Sequence, residues 1–281
     1  MQIVDSHVHY WEPTRMRLAW LDDVPMLNAP VLTDTIPAGG NGWTVEKIVF
    51  VQADVIAEQG IVEAEWVTSL AAQDARIRAI VAFAPLEKGA DQTRAWLDRL
   101  KVLPMVRGVR RLIQSEAAGF ATQPDFIAGV KVLADYGYTF DIGVRHHQLR
   151  DALALAQACP EIQFVLDHAG KPDIRNKSID LWRADLSAIA ALPNVRCKLS
   201  GLVTEADLLN WTPVDLQPYI DHMIAAFGAD RLMFGSDSPV FRMAGTTYAA
   251  WVDVALGSMK ALSEADKQKI FAANAAAFYR I

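Results

Sequence analysis

The chain has 281 residues, of which 52 % are hydrophobic and 21 % charged, and a formal net charge of −6. That apolar fraction supports a large buried core and excludes a disordered chain. The acidic balance and the lack of any basic run argue against a nucleic-acid or membrane-surface partner. The two cysteines, Cys159 and Cys197, stand far apart and outside any Cys/His cluster, so neither a disulfide framework nor a structural zinc site is expected. No basic and then apolar leader opens the chain, and no uncharged apolar run reaches the ~18 residues of a membrane helix. The expectation is a cytoplasmic globular protein.

In chain order, short β-branched runs alternate with longer Ala- and Leu-rich segments at helical spacing. The runs fall at residues 3–7, 47–51, 77–83, 106–110, 138–144, 163–167, 195–199 and 231–234. Helices are predicted at 58–74, 91–101, 123–136, 148–159, 179–191, 213–227 and 246–260, and Ser263 with Asp266 reads as the cap of an extra C-terminal helix ending near Tyr279. Eight strands alternating with helices imply parallel pairing and right-handed crossovers. An open doubly wound sheet usually has five or six strands and often a glycine-rich first turn; here the first turn is Ser6-His7-Val8-His9. The predicted fold is a single distorted (β/α)8 barrel over residues 1–281. The long connection at 10–44, with Pro13, Pro25, Pro30 and Pro37 and the run Gly39-Gly40-Asn41-Gly42, would lie on the catalytic face as a lid, a substrate wall or a packed excursion.

Three stretches carry chemistry. In Asp5-Ser6-His7-Val8-His9, residues two apart on an extended chain face one side, so both imidazoles can reach one point. Asp167-His168-Ala169-Gly170-Lys171-Pro172 leaves the sixth strand at the end where barrel enzymes place catalytic groups. Gly235-Ser236-Asp237-Ser238-Pro239 leaves the eighth strand, which neighbours the first in a closed barrel. His7, His9, His168 and Asp237 are therefore the catalytic candidates, with His7, His9 and Asp237 able to hold a single ion. Arg110, Lys171, Lys198, Gln52 and His146 are the candidate substrate contacts, while Arg111 is read as surface charge. Trp11, Trp20, Trp43 and Trp211 fall in connections that could wall a pocket.

The set Asp5-Ser-His7-Val-His9, Leu166-Asp-His168-Ala-Gly-Lys171-Pro172, Lys198-Leu-Ser-Gly201-Leu-Val-Thr-Glu205 and Gly235-Ser-Asp237-Ser-Pro239 resembles the amidohydrolase superfamily. It is most similar to the lactone-hydrolysing branch that includes L-fuconolactonase, L-rhamnonolactonase, galactarolactonase and 2-pyrone-4,6-dicarboxylate lactonase. The resemblance implies water attack on a small-molecule lactone, an aldonolactone or a carboxylate-bearing one, with one divalent ion (Zn2+ or Mn2+) or none. Superfamily members with two metals carry a bridging Lys or Glu on strand four and a His on strand five. Here strand four reads Arg107-Gly108-Val109-Arg110 and strand five offers Asp141. Where the branch often has Trp after the strand-eight Asp, this chain has Ser238. A metal-dependent amidase or decarboxylase of the superfamily, and a non-catalytic sugar-acid binding barrel, are the competing readings.

Overall fold

A computed structural model describes Met1–Ile281. Eight parallel strands lie side by side in chain order: β1 (Gln2–Val8), β2 (Trp43–Val51), β3 (Ile77–Phe83), β4 (Val106–Arg110), β5 (Thr139–Ile142), β6 (Phe164–Leu166), β7 (Val195–Leu199) and β8 (Leu232–Phe234). Around them run α1 (Gly60–Leu70), α2 (Gly89–Leu100), α3 (Pro124–Tyr136), α4 (Leu149–Ala158), α5 (Asp180–Ala190), α6 (Pro213–Phe227) and α7 (Tyr248–Ser258). This is the (β/α)8 barrel that the alternation predicts. The strands are apolar on both faces because both are covered. Alternate residues divide cleanly: Val4, Val49, Val51, Ala79, Val81, Val165 and Met233 fill the barrel interior, while Ile3, Ile48, Phe50, Ile80 and Phe234 pack outward under the helices.

The barrel is distorted at the seam between β8 and β1. These strands meet only at their C-terminal ends, where Val8 bridges to Ser238, His9 N–H donates to Ser238 O (2.8 Å) and Asp237 N–H donates to His7 O (2.9 Å). Lower down, the C-terminal helical segment takes over. It comprises α8 (Glu264–Gln268), a π turn (Lys269–Ala273) and α9 (Asn274–Tyr279), and Ser263 caps it by accepting Asp266 N–H (3.1 Å). Asn274 Nδ2 donates to Leu232 O (2.6 Å) and Gln268 Nε2 to Gln2 O (3.1 Å), satisfying carbonyls that a paired seam would have used. Ala272, Ala275, Phe278 and Tyr279 plug the interior below the site.

The connection after β1 is a packed excursion, with Trp11 bridged to Val31 and a two-residue strand, Gly39–Gly40, antiparallel to β2. Gly40 lies so close to Trp43 that an added Cβ would sit 2.3 Å from its ring. No helix is long and apolar enough to cross a membrane.

Candidate active site

The seam places the chemistry. Because β1 and β8 pair where both strands end, His7 and His9 from one and Asp237 from the other are brought together. His7 Nε2 lies 3.2 Å from His9 Nε2, and Asp237 Oδ1 lies 3.5 Å from His9 Nε2 and 3.8 Å from His168 Nε2. Donor atoms of His7, His168 and Asp237 all fall within 4.8 Å of one another.

The outer nitrogen of each ring meets a fixed partner. His9 Nδ1 donates to Val51 O (2.7 Å), an acceptor only. His168 Nδ1 pairs with Ser200 Oγ (2.8 Å). His7 meets a donor on each side, Arg110 Nη1 at Nε2 (3.3 Å) and Lys198 Nζ at Nδ1 (3.1 Å), with Asp167 Oδ1 3.3 Å from Nδ1. The Nε2 atoms of all three rings face Asp237, and in His9 that nitrogen is the unprotonated one. Burial keeps them neutral: it lowers the pKa of His7 and His9 and brings His168 to about 4. Burial alone would raise Asp237, but His168, His9 and His7 outweigh it and hold the carboxyl below its usual range. His7, His168 and Asp237 offer two imidazole nitrogens and a carboxylate oxygen that fit a single divalent ion of the Zn2+ type, so His168 stands in the ligand set where the sequence offered His9.

Local backbone conformation supports this aim. His168 (φ 52°), Ala169 (φ 51°), Lys171 (φ 50°) and Asp237 (φ 60°) are left-handed non-glycine residues, each an outlier costing about 1–3 kcal/mol that persists only where the surroundings over-determine it. The turn after β6 is fixed by Trp182 Nε1 donating to Ala169 O (2.8 Å) and by His146 Nδ1 donating to Lys171 O (3.1 Å). Gly201 (φ 61°) presses beneath: an added Cβ would stand 2.4 Å from His168 Nδ1.

A cavity of about 310 Å³ opens over the cluster, lined by His9, Arg110, His168, Lys171 and Asp237 together with Trp20, Asp54, Gln114, Ser115, Arg145 and Met243. Arg110 is held by Asp167 Oδ2 (3.1 Å) and Gln52 O (2.5 Å). Lys171 stands at the rim, 3.5 Å from Glu205.

Three predicted substrate contacts are placed elsewhere. Lys198 is fully buried below the cluster, where its Nζ meets Asp141 Oδ2 (2.5 Å), Asp167 Oδ1 (3.0 Å) and His7 Nδ1 (3.1 Å). A strand-seven side chain pointing inward at that level meets other strands, not the cavity. Gln52 is fully buried and uses its Oε1 on Asp54 N–H (2.6 Å). His146 secures the Lys171 turn, and His147 is exposed. Of the tryptophans, Trp20 lines the cavity; Trp11 packs edge-on behind it, Trp43 lies against Tyr248, and Trp211 bonds Ala244 O. Arg111, read as surface charge, is half-buried: it pairs with Glu87 and Glu116 and lies over the Phe120 ring. Asp54, Gln114, Ser115 and Arg145 went unread, because their loops have no periodicity; their only signal is a position just after strands two, four and five.

The barrel and this buried cluster at the C-terminal ends of its strands define a TIM-barrel enzyme in which His7, His168 and Asp237 could hold a metal ion. The chain belongs to the amidohydrolase family, which matches residues 4–281. It is 32 % identical over 292 residues to an L-fucono-1,5-lactonase of Burkholderia multivorans, covering 99 % of this chain and 96 % of that one. It is 25 % identical over 233 residues to an L-rhamnono-gamma-lactonase of Scheffersomyces stipitis, covering 73 % of this chain and 69 % of the other. Among solved structures, a Burkholderia multivorans amidohydrolase with bound zinc superposes with a TM-score of 0.84 at 32 % identity, over 100 % of both chains.

Proposed function

We propose that the protein opens the ring of a sugar-acid lactone, an aldonolactone, by adding water to its carbonyl. The observation that carries this is the convergence of three neutral imidazoles and an ionised Asp237 on the floor of a cavity whose wall holds the Arg110 guanidinium. The lactonase names of two relatives support the same reaction class.

Asp237 accepts a proton as the water oxygen bonds to the carbonyl carbon. Arg110, whose guanidinium lines the cavity, stabilises the charge that develops on the carbonyl oxygen, while His7, His9 and His168 present ligand nitrogens beside it. When the ring C–O bond breaks, the leaving alkoxide takes the proton back. A carboxyl held below its usual range releases it readily. One divalent ion, Zn2+ or Mn2+, at His7, His168 and Asp237 with His9 beside them, would when bound supply Lewis-acid activation of the reacting oxygens. Lys171 and Arg110 orient the substrate oxygens. A carboxylate-bearing lactone is the second reading, favoured by Arg145, which lines the cavity without an acidic partner.

Proton release on a panel of lactones, with and without chelator, tests the proposal. Aldonolactones should be hydrolysed with turnover well above the buffer rate. Amide hydrolysis or decarboxylation without lactone hydrolysis would overturn the reading, and tight binding without turnover would make the chain a binding protein.

A further inference from the structure

The cavity wall carries a carboxylate that the fold itself leaves unused. Asp54 stands just beyond β2 and lines the cavity with His9, Arg110, His168 and Asp237. Its side chain is exposed and lies on the cavity wall. The residue is left-handed (φ 61°), a conformation few side chains adopt without strain.

The turn that holds it there is pinned from every side. Arg110 Nη2 donates to Gln52 O (2.5 Å), Ala53 N–H donates to Glu63 Oε1 (2.8 Å), Trp20 Nε1 donates to Ala53 O (2.9 Å), and Asp54 N–H donates to Gln52 Oε1 (2.6 Å). All of these bonds secure backbone; none reaches the Asp54 carboxylate. The cations whose charge it feels are committed elsewhere, Arg110 to Asp167 and Arg111 to Glu87 and Glu116. A strained turn held this firmly fixes a carboxylate that makes no protein hydrogen bond on the cavity wall, where it is free to accept from whatever fills the cavity.

We propose that Asp54 is a specificity residue that accepts hydrogen bonds from neighbouring hydroxyls of the substrate, which makes the substrate a neutral, polyhydroxylated lactone. The inference rests on the reading of the site as a lactone hydrolase. An ionised carboxylate only accepts, so it matches a polyol, which brings donors and no charge. A substrate carboxylate at the same place would meet a like charge in a confined space.

The test compares wild type with Asp54→Asn and Asp54→Gly, both of which tolerate a left-handed backbone. Steady-state kinetics are measured on a neutral aldonolactone, a sugar lactone bearing a free carboxylate, and unsubstituted δ-valerolactone. Melting temperatures confirm that the variants fold. The Gly variant should lose roughly 10- to 100-fold in kcat/KM on the aldonolactone, mostly through KM, because charge-assisted hydrogen bonds are lost. The Asn variant should lose less, δ-valerolactone should change little, and the carboxylate-bearing lactone should be turned over as well or better. Equal losses on all three lactones, or no loss on the aldonolactone, overturn the assignment while leaving the lactonase reading intact. A wild type inactive on every lactone overturns both.

Discussion

Lys198 and Asp141 form an ion pair in the closed interior of the barrel, Nζ to Oδ2 at 2.5 Å, with both side chains fully buried. The same ammonium reaches Asp167 Oδ1 at 3.0 Å and lies beneath the His7 ring. One cation thus serves two carboxylates that would otherwise repel each other. Lys198→Met should cost about 3–5 kcal/mol, since it leaves buried charges uncompensated. Denaturant unfolding measures this, and the double variant Lys198→Met/Asp141→Asn should recover part of the loss.

Tyr279, on the plug of the barrel, donates from its hydroxyl to Asp141 Oδ2 at 2.8 Å and so joins the last helix to this network. Tyr279→Phe keeps the ring and removes the donor. A loss of about 1–3 kcal/mol is expected in denaturant unfolding. Turnover should fall far less than in any Asp237 variant, because Asp141 keeps Lys198.

Glu63 sets a pH dependence. Burial is the first cause that pushes its carboxyl from 4.5 to about 8, against the hydrogen bond from Ala53 N–H. With a folded pKa above the unfolded one, its contribution to stability is fully present below pH 4.5 and is lost as pH rises toward 8. Glu63→Gln preserves an acceptor for Ala53 and cannot ionise. Its stability relative to wild type should therefore rise by a few kcal/mol between pH 4.5 and 8, by urea titration at each pH.

Gly201→Ala probes the support under His168. The new Cβ would press on the ring at 2.4 Å and the residue would have to keep φ 61°. A loss of more than ~10²-fold in kcat/KM is expected, because small displacements of reacting groups carry costs of that order. An unchanged circular dichroism spectrum would show that the barrel survives.

The barrel was legible because eight apolar runs alternate with helical spacing, and burial on both faces is what makes those runs continuous. The terminal helix was legible in its Ser263–Asp266 cap, but its π turn and its entry into the barrel floor were not; both follow from the packing of Phe271 on Phe234 (ring centroids 4.7 Å apart) and from the seam. His7, His9, His168 and Asp237 could be read because each leaves a strand at its C-terminal end. Lys198 could not be placed, since one residue's depth along a strand separates the cavity from the interior. His146 and Gln52 bond to backbone, and no pattern of residue types announces that. Asp54 depends on a turn shaped by Glu63, Trp20 and Arg110, which come from three different parts of the chain.

The central claim is that Asp237 moves the proton. Asp237→Asn keeps the shape of the side chain and removes its charge and basicity. Steady-state turnover of an aldonolactone by this variant is the most direct test. The account predicts a fall in kcat of roughly 10²- to 10⁴-fold, with the melting temperature held near that of wild type. A variant that turns over at the wild-type rate with a flat pH profile would contradict it.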